Sequence, residues 1–240
     1  MVRQQSRVSV ESLAHRFAAS PETIRRDLAI LARKGKVQKV HGGAIFPRTA
    51  GEGPFADRMR QNVMAKRRIA EIAVTLVSPG QTVMIDTGST SLILAEELVG
   101  VDNLTVVTNS AEIARVISSA NYTSQVFLLG GGYHADNRQT FGAIAIDQLS
   151  RFRADVAMLT IGALDADGGV MDYNPNEADM ARAMMQRSGE VMLLVDSSKF
   201  GKLATFTVTG FDAVDKLVCE RPPDGILSDA LARASVKIYC

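Results

Sequence analysis

Apolar residues in the first fifty positions recur at helical intervals. Ile24, Leu28 and Leu31 form one stripe, which turns Glu22, Arg26, Ala29 and Arg33 to the opposite side with Thr23 and Arg25 flanking. Ser20 is placed to cap this helix, Pro21 suits its first turn, and Glu22 favours its positive end. Upstream, Ser9 caps a shorter helix, Val10 to Ala18, with Leu13, Ala14 and Phe17 on one side, and Ala18-Ala19-Ser20 makes the tight turn between the two. Downstream, Gly35 can end the second helix. Lys36 to Val40, His41-Gly42-Gly43 and Ala44 to Phe46 then read as a β-hairpin. The pattern is a helix-turn-helix followed by a wing.

From Lys66 onward the period changes. Apolar strands are predicted at Thr82 to Ile85, Leu104 to Val107, Gln125 to Leu129, Val156 to Ile161, Val191 to Val195 and Lys216 to Cys219, with helices at Arg68 to Leu76, Thr90 to Leu98 and Ala111 to Ser118. Apolar, largely β-branched runs separated by helices imply a mostly parallel sheet covered on both faces, an α/β domain. Between the two patterns, at 47–66, Pro, Gly and charged residues interrupt any apolar period. The expected organisation is a winged helix-turn-helix at 1–48, a linker at 49–63 and an α/β domain at 64–240.

Charge separates the two parts. The net charge is +1, yet residues 1–50 carry ten Lys/Arg against three acids, and the remainder has an excess of six negative charges. Neutralisation of phosphates supplies most non-specific DNA affinity, so the basic end is the expected nucleic-acid surface. Its contact residues are expected to be Ser20, Thr23, Arg25 and Arg26 at the start of the second helix, with Lys39 and His41 on the wing. An RNA-binding alternative lacks an aromatic stacking platform there, since Phe17 reads as core and only Phe46 is free. No apolar run approaches a membrane span and no signal-peptide pattern is present, so a cytoplasmic protein is expected. Cys219 and Cys240 lack CxxC spacing, and the histidines are only His15, His41 and His134, which indicates neither a zinc site nor a disulfide framework.

In parallel sheets ligands bind beyond the carboxyl ends of strands. The first such end here reads Asp86-Thr87-Gly88-Ser89-Thr90. A glycine permits close approach, hydroxyls and helix N–H groups can donate to an anion, and Asp86 can accept from sugar hydroxyls. A capped helix start would also explain these residues. Asn109 in Thr108-Asn109-Ser110, Gly131 in a triple glycine, and Lys199 in Asp196-Ser197-Ser198-Lys199-Phe200-Gly201 end further strands, and Glu177 opens a helix, where the dipole favours an acid in any case. The triple glycine lacks GxGxxG spacing, so no nucleotide cofactor is expected. An enzymatic alternative would make the chain a sugar-phosphate isomerase, with Asp86 or Glu177 as base and Lys199 as electrostatic stabiliser.

Val8-Ser9-Val10, Leu13-Ala14, the run Ser20 to Leu28, and Val40-His41-Gly42-Gly43-Ala44 closely resemble the N-terminal signature of the DeoR family of bacterial transcriptional repressors. The resemblance continues through Asp86 to Thr90, Thr108-Asn109-Ser110, Leu129 to Gly132, Ile161-Gly162-Ala163, Gly168-Gly169, Glu177 and Asp196 to Gly201. It implies a C-terminal sensor domain similar in fold to ribose-5-phosphate isomerase. It also implies a homo-oligomeric repressor of a sugar-metabolism operon that releases operator DNA when a phosphorylated sugar binds. Family members carry a further helix before the position of Val8, whereas this chain has only MVRQQSR there. The first helix is therefore expected to be missing, through a late start codon or a truncation.

Overall fold

A computed structural model describes residues 7–33, 38–40, 42–45 and 52–240. The chain divides into two compact units, Met1–Ala50 and Gly51–Cys240.

In the smaller unit, β1 (Arg7–Ser9) leads into α1 (Val10–Phe17), and α2 (Pro21–Arg33) follows. Ser9 Oγ accepts from the Ser12 N–H at 3.0 Å and Ser20 Oγ from the Thr23 N–H at 3.1 Å, so both helices have the side-chain caps that their sequences offer. Ala18 takes the left-handed conformation, φ 48°, that turns the chain between them. The wing is β2 (Gln38–Val40) and β3 (Gly43–Ile45), and β1 pairs with β3 to complete an antiparallel sheet in the order β1-β3-β2. Val8, Val10, Leu13, Ile24, Leu28 and Ala44 form the core. Phe17 does not join it. It is 62% exposed, and Leu31, on the stripe of α2, is 37% exposed. The predicted helix stop at Gly35, and Lys36, His41 and Phe46, lie outside the described residues.

The larger unit opens with α3 (Phe55–Arg60) and α4 (Val63–Val74). The stretch read as a linker at 49–63 is therefore partly helical. The Phe55 N–H donates to Asp136 Oδ2 at 3.0 Å and Arg58 donates to Asn137, contacts that local periodicity does not reveal. There follow β4 (Thr82–Ile85), α5 (Ser89–Leu98), β5 (Thr105–Thr108), α6 (Ala111–Ala120), β6 (Gln125–Leu128), a hairpin of β7 (Gly132–His134) and β8 (Gln139–Phe141), α7 (Ala143–Leu149) and β9 (Ala154–Thr160). The remainder is β10 (Ala163–Asp165), β11 (Gly169–Asp172), α8 (Pro175–Gln186), β12 (Ser188–Leu194), β13 (Phe206–Thr209), β14 (Lys216–Val218), α9 (Gly225–Arg233) and β15 (Lys237–Tyr239).

Seven strands form one parallel sheet in the order β15-β14-β12-β9-β4-β5-β6. Side chains alternate across it: Ala157 and Leu159 of β9 join α7, α8 and α9 on one face, while Val156 and Met158 join α4, α5 and α6 on the other. Both faces are covered, which is why the central strands read as unbroken apolar runs. Strand β5 lies on one side of β4 and β9 on the other, so the chain reverses its direction of travel across the sheet beside β4. That switch point opens a crevice beyond the carboxyl ends of β4 and β9. Strands β10, β11 and β13 make a separate antiparallel sheet.

Candidate effector site and nucleic-acid interface

Asp86 follows β4 at the switch point and is 8% exposed. Its oxygens accept from the Thr160 N–H at 3.0 and 2.9 Å, from Thr160 Oγ1, and from Ser91 Oγ at 2.8 Å. Burial pushes its pKa up to about 7 against the opposing pull of these hydrogen bonds. Gly88 is extended. Its need for glycine is spatial, since a Cβ there would fall 2.1 Å from Thr160 Oγ1. Gly88 occupies the N-cap of α5, with no side-chain cap bond, and Ser89, Thr90 and Ser91 are buried in the first turn. The hydroxyl-rich start is thus not explained by capping.

Thr87 Oγ1 donates to Asn109 Oδ1 at 3.2 Å, and Asn109 Nδ2 donates to the Thr140 carbonyl at 3.0 Å. Across the crevice, Glu177 in the first turn of α8 accepts from Asn137 Nδ2 at 2.7 Å and Gln139 Nε2 at 3.0 Å. Asp172, the last residue of β11, is 6% exposed, and burial, reinforced by the Glu177 charge, pushes its pKa up to about 7.

Arg58 closes the cavity from α3. Its Nη1 donates to Glu52 at 2.9 Å and its Nη2 to Asn137 Oδ1 at 3.0 Å, while its Nε is buried with no partner among the described residues. Lys199 pairs with the other Glu52 oxygen. Burial, with a contribution from Lys202, lowers the Lys199 pKa to about 8, so it remains largely a cation at neutral pH. Lys66 is buried on α4, donating to the Arg58 carbonyl at 2.5 Å.

The cavity is lined by the acids Asp86, Asp172, Glu177 and Glu52, by the polar residues Thr87, Asn109, Gln139 and Thr160, and by Arg58. Of the residues expected to bind an effector, Asp86, Thr87, Asn109 and Glu177 share this cavity, and Lys199 reaches its rim through Glu52. Gly88, Ser89 and Thr90 are not among its lining residues: Gly88 is the N-cap of α5, and Ser89 and Thr90 lie in its first turn. Gly131 is not among the lining residues; at φ 138° its backbone passes so close to the hairpin that a Cβ would fall 2.6 Å from the Phe141 carbonyl oxygen. Sequence reasoning missed Arg58, which sits in the presumed linker, and Thr160 and Asp172, whose roles depend on partners far along the chain. No group of three or more His, Cys, Asp or Glu suited to a metal occurs among the described residues.

On the smaller unit, Arg25 and Arg26 are exposed on α2, and Arg25 pairs with Glu22 at 3.1 Å. Lys39 is exposed on β2, Ser20 and Thr23 are bonded to one another at 2.9 Å, and His41 lies outside the described residues. No helix among the described residues is long and apolar enough to cross a membrane.

Comparison with known proteins adds the following. Residues 1–50 match a DeoR-like helix-turn-helix domain and residues 61–221 the DeoR C-terminal sensor domain. The chain is 34% identical to the glycerol-3-phosphate regulon repressor of Escherichia coli (strain K12), over 93% of this chain and 88% of that protein. It is 30% identical to the HTH-type transcriptional regulator GolR of Listeria innocua, over 92% and 87%. Among solved structures, the tetrameric eIF2B-beta2-delta2 complex from C. thermophilum shares the fold at a TM-score of 0.50, with 14% identity over 72% of this chain and 61% of that one. Ribose 5-phosphate isomerase A from Methanocaldococcus jannaschii is a looser match, at a TM-score of 0.44 with 18% identity, over 60% of this chain and 57% of that one. Two domain matches in this order and a relative aligned over nearly the whole chain have one reading: the protein belongs to the DeoR family of transcriptional regulators.

Proposed function

We propose that the protein is a DNA-binding repressor of a sugar-metabolism operon, released from operator DNA by a phosphorylated sugar bound in the larger unit. The observation that carries this is the composition of the switch-point cavity, where buried carboxylates suited to hydroxyls face a buried arginine with an unpartnered N–H. A sugar phosphate presents both complements, and its entry requires the cavity, about 10 Å³ as it stands, to open. The relatives' names point the same way, with a glycerol-3-phosphate regulon repressor among them. Arg25, Arg26 and Thr23 read base edges and phosphates, and Lys39 and His41 hold backbone. Two half-sites require two readers, so the active form is a homo-oligomer.

The isomerase reading is weaker. Residues 1–50 match a helix-turn-helix domain, for which an isomerase has no use, and the named relatives are transcriptional regulators.

The test is direct. An operator fragment is selected from random-sequence DNA with the full-length chain, and glycerol 3-phosphate and a series of pentose and hexose phosphates are titrated into the complex. At least one should release the DNA at concentrations that also raise the protein's melting temperature. Failure of the whole series on both readouts would refute the reading.

A further inference from the structure

Glu52 differs from the other acids around the cavity. Asp86, Asp172 and Glu177 accept hydrogen bonds from neutral neighbours, whereas Glu52 spends one oxygen on Arg58 Nη1 at 2.9 Å and the other on Lys199. Its side chain is only 16% exposed, and it comes from the short non-helical lead into α3 rather than from the sheet.

We propose that Glu52 is an internal competitor for the effector's phosphate: its carboxylate occupies the Arg58–Lys199 cation pair in the free protein, and a phosphate binds by displacing it. The inference rests on the effector reading above.

Two arguments support displacement over co-occupancy. Three carboxylates already face the cavity, and a phosphate placed beside a fourth would set like charges a few ångströms apart in a poorly solvated space. A phosphate is also the better partner for these cations. It carries more charge than a carboxylate and has a third terminal oxygen, an acceptor of the kind that the Arg58 Nε lacks while Glu52 is in place. Glu52 thereby sets a threshold. An anion no better than a carboxylate gains nothing by exchanging with it, while a dianion does.

The experiment compares the full-length wild type with Glu52→Gln by isothermal titration, using inorganic phosphate and glycerol 3-phosphate as probes. The amide keeps the shape and loses the charge, so Glu52→Gln should bind both probes about tenfold more tightly. Glu52→Asp, too short to bridge both cations, should gain less, and it keeps the test open if the glutamine variant folds poorly. Unchanged or weaker affinity for inorganic phosphate in both variants would overturn the proposal. The two readings fail separately. A gain in phosphate affinity with no sugar phosphate able to release operator DNA would leave the competitor standing and remove the repressor mechanism. Release at identical sugar-phosphate concentrations in wild type and variants, with identical affinities, would do the reverse.

Discussion

Gly88 and Thr160 meet so closely that no side chain fits between them, and Thr160 in turn donates its N–H to Asp86. Gly88→Ala should therefore cost about 1–3 kcal/mol of stability, the usual price of forcing a methyl into a filled site. Thr160→Ala in the same chain should recover part of that loss, visible as non-additivity in a double-mutant cycle by denaturant unfolding. Strict additivity would mean that some other neighbour excludes the methyl. Asp172 makes a pH prediction. A free aspartate titrates near 4, and here burial and Glu177 push the pKa up to about 7. Between roughly pH 4 and pH 7 the folded protein keeps a proton that the unfolded chain has released, so stability falls as pH rises through that window and levels off above it. Asp86 acts in the same direction. Asp172→Asn cannot ionise. Its stability relative to the wild type should rise between pH 5 and pH 8 by on the order of 1–3 kcal/mol, measured by thermal unfolding at both values. An equal difference at the two pH values would remove ionisation as the cause.

At the level of elements, α2 is the proposed DNA reader. Arg25 and Arg26 stand in its first turns, the part of a recognition helix that reaches base edges. Arg26→Ala should cost about 1–3 kcal/mol of operator affinity if it reads a guanine, and the double Arg25→Ala, Arg26→Ala variant should lose more, by fluorescence anisotropy on the selected operator. Equal binding by the double variant and the wild type would refute this placement. This helix was legible in the sequence because each determinant is local: Ser20, Pro21 and the Ile24–Leu28 spacing lie within three turns. The same holds for β4 and the Asp86 loop, where an unbroken apolar run meets a glycine and hydroxyls. Legibility ended where partners are distant. Arg58 reads as linker because its acceptor Asn137 is 79 positions away, and Thr160 finds Asp86 across 74. Phe17 fails differently: an apolar residue on the right stripe remains exposed when no described element covers that end of α1.

At the scale of the whole molecule, a basic reader and an acidic sensor are joined in one chain, and regulation requires only that each ligand favour a different arrangement of the same assembly. An effector shifts that balance in proportion to its preference for one arrangement, and thermodynamics makes the effect mutual: if the sugar phosphate weakens operator binding by some factor, operator weakens sugar-phosphate binding by the same factor. The proposed effector residues lie in the larger unit and the proposed DNA-reading residues in the smaller one. Asp86→Ala and Lys199→Ala should therefore bind operator as the wild type does while failing to release it on addition of the effector, giving a permanently repressing protein. Asp86→Ala removes the acceptor for sugar hydroxyls, and Lys199→Ala removes a cation from the phosphate position. Both should lower effector affinity by about tenfold or more, read by calorimetry without DNA and again with operator present. For the wild type, the ratio of those two affinities should equal the ratio of operator affinities with and without effector. A variant that loses operator binding yet keeps normal effector affinity, or a wild type in which the two ratios differ, would show that cavity and reader are not coupled in this way.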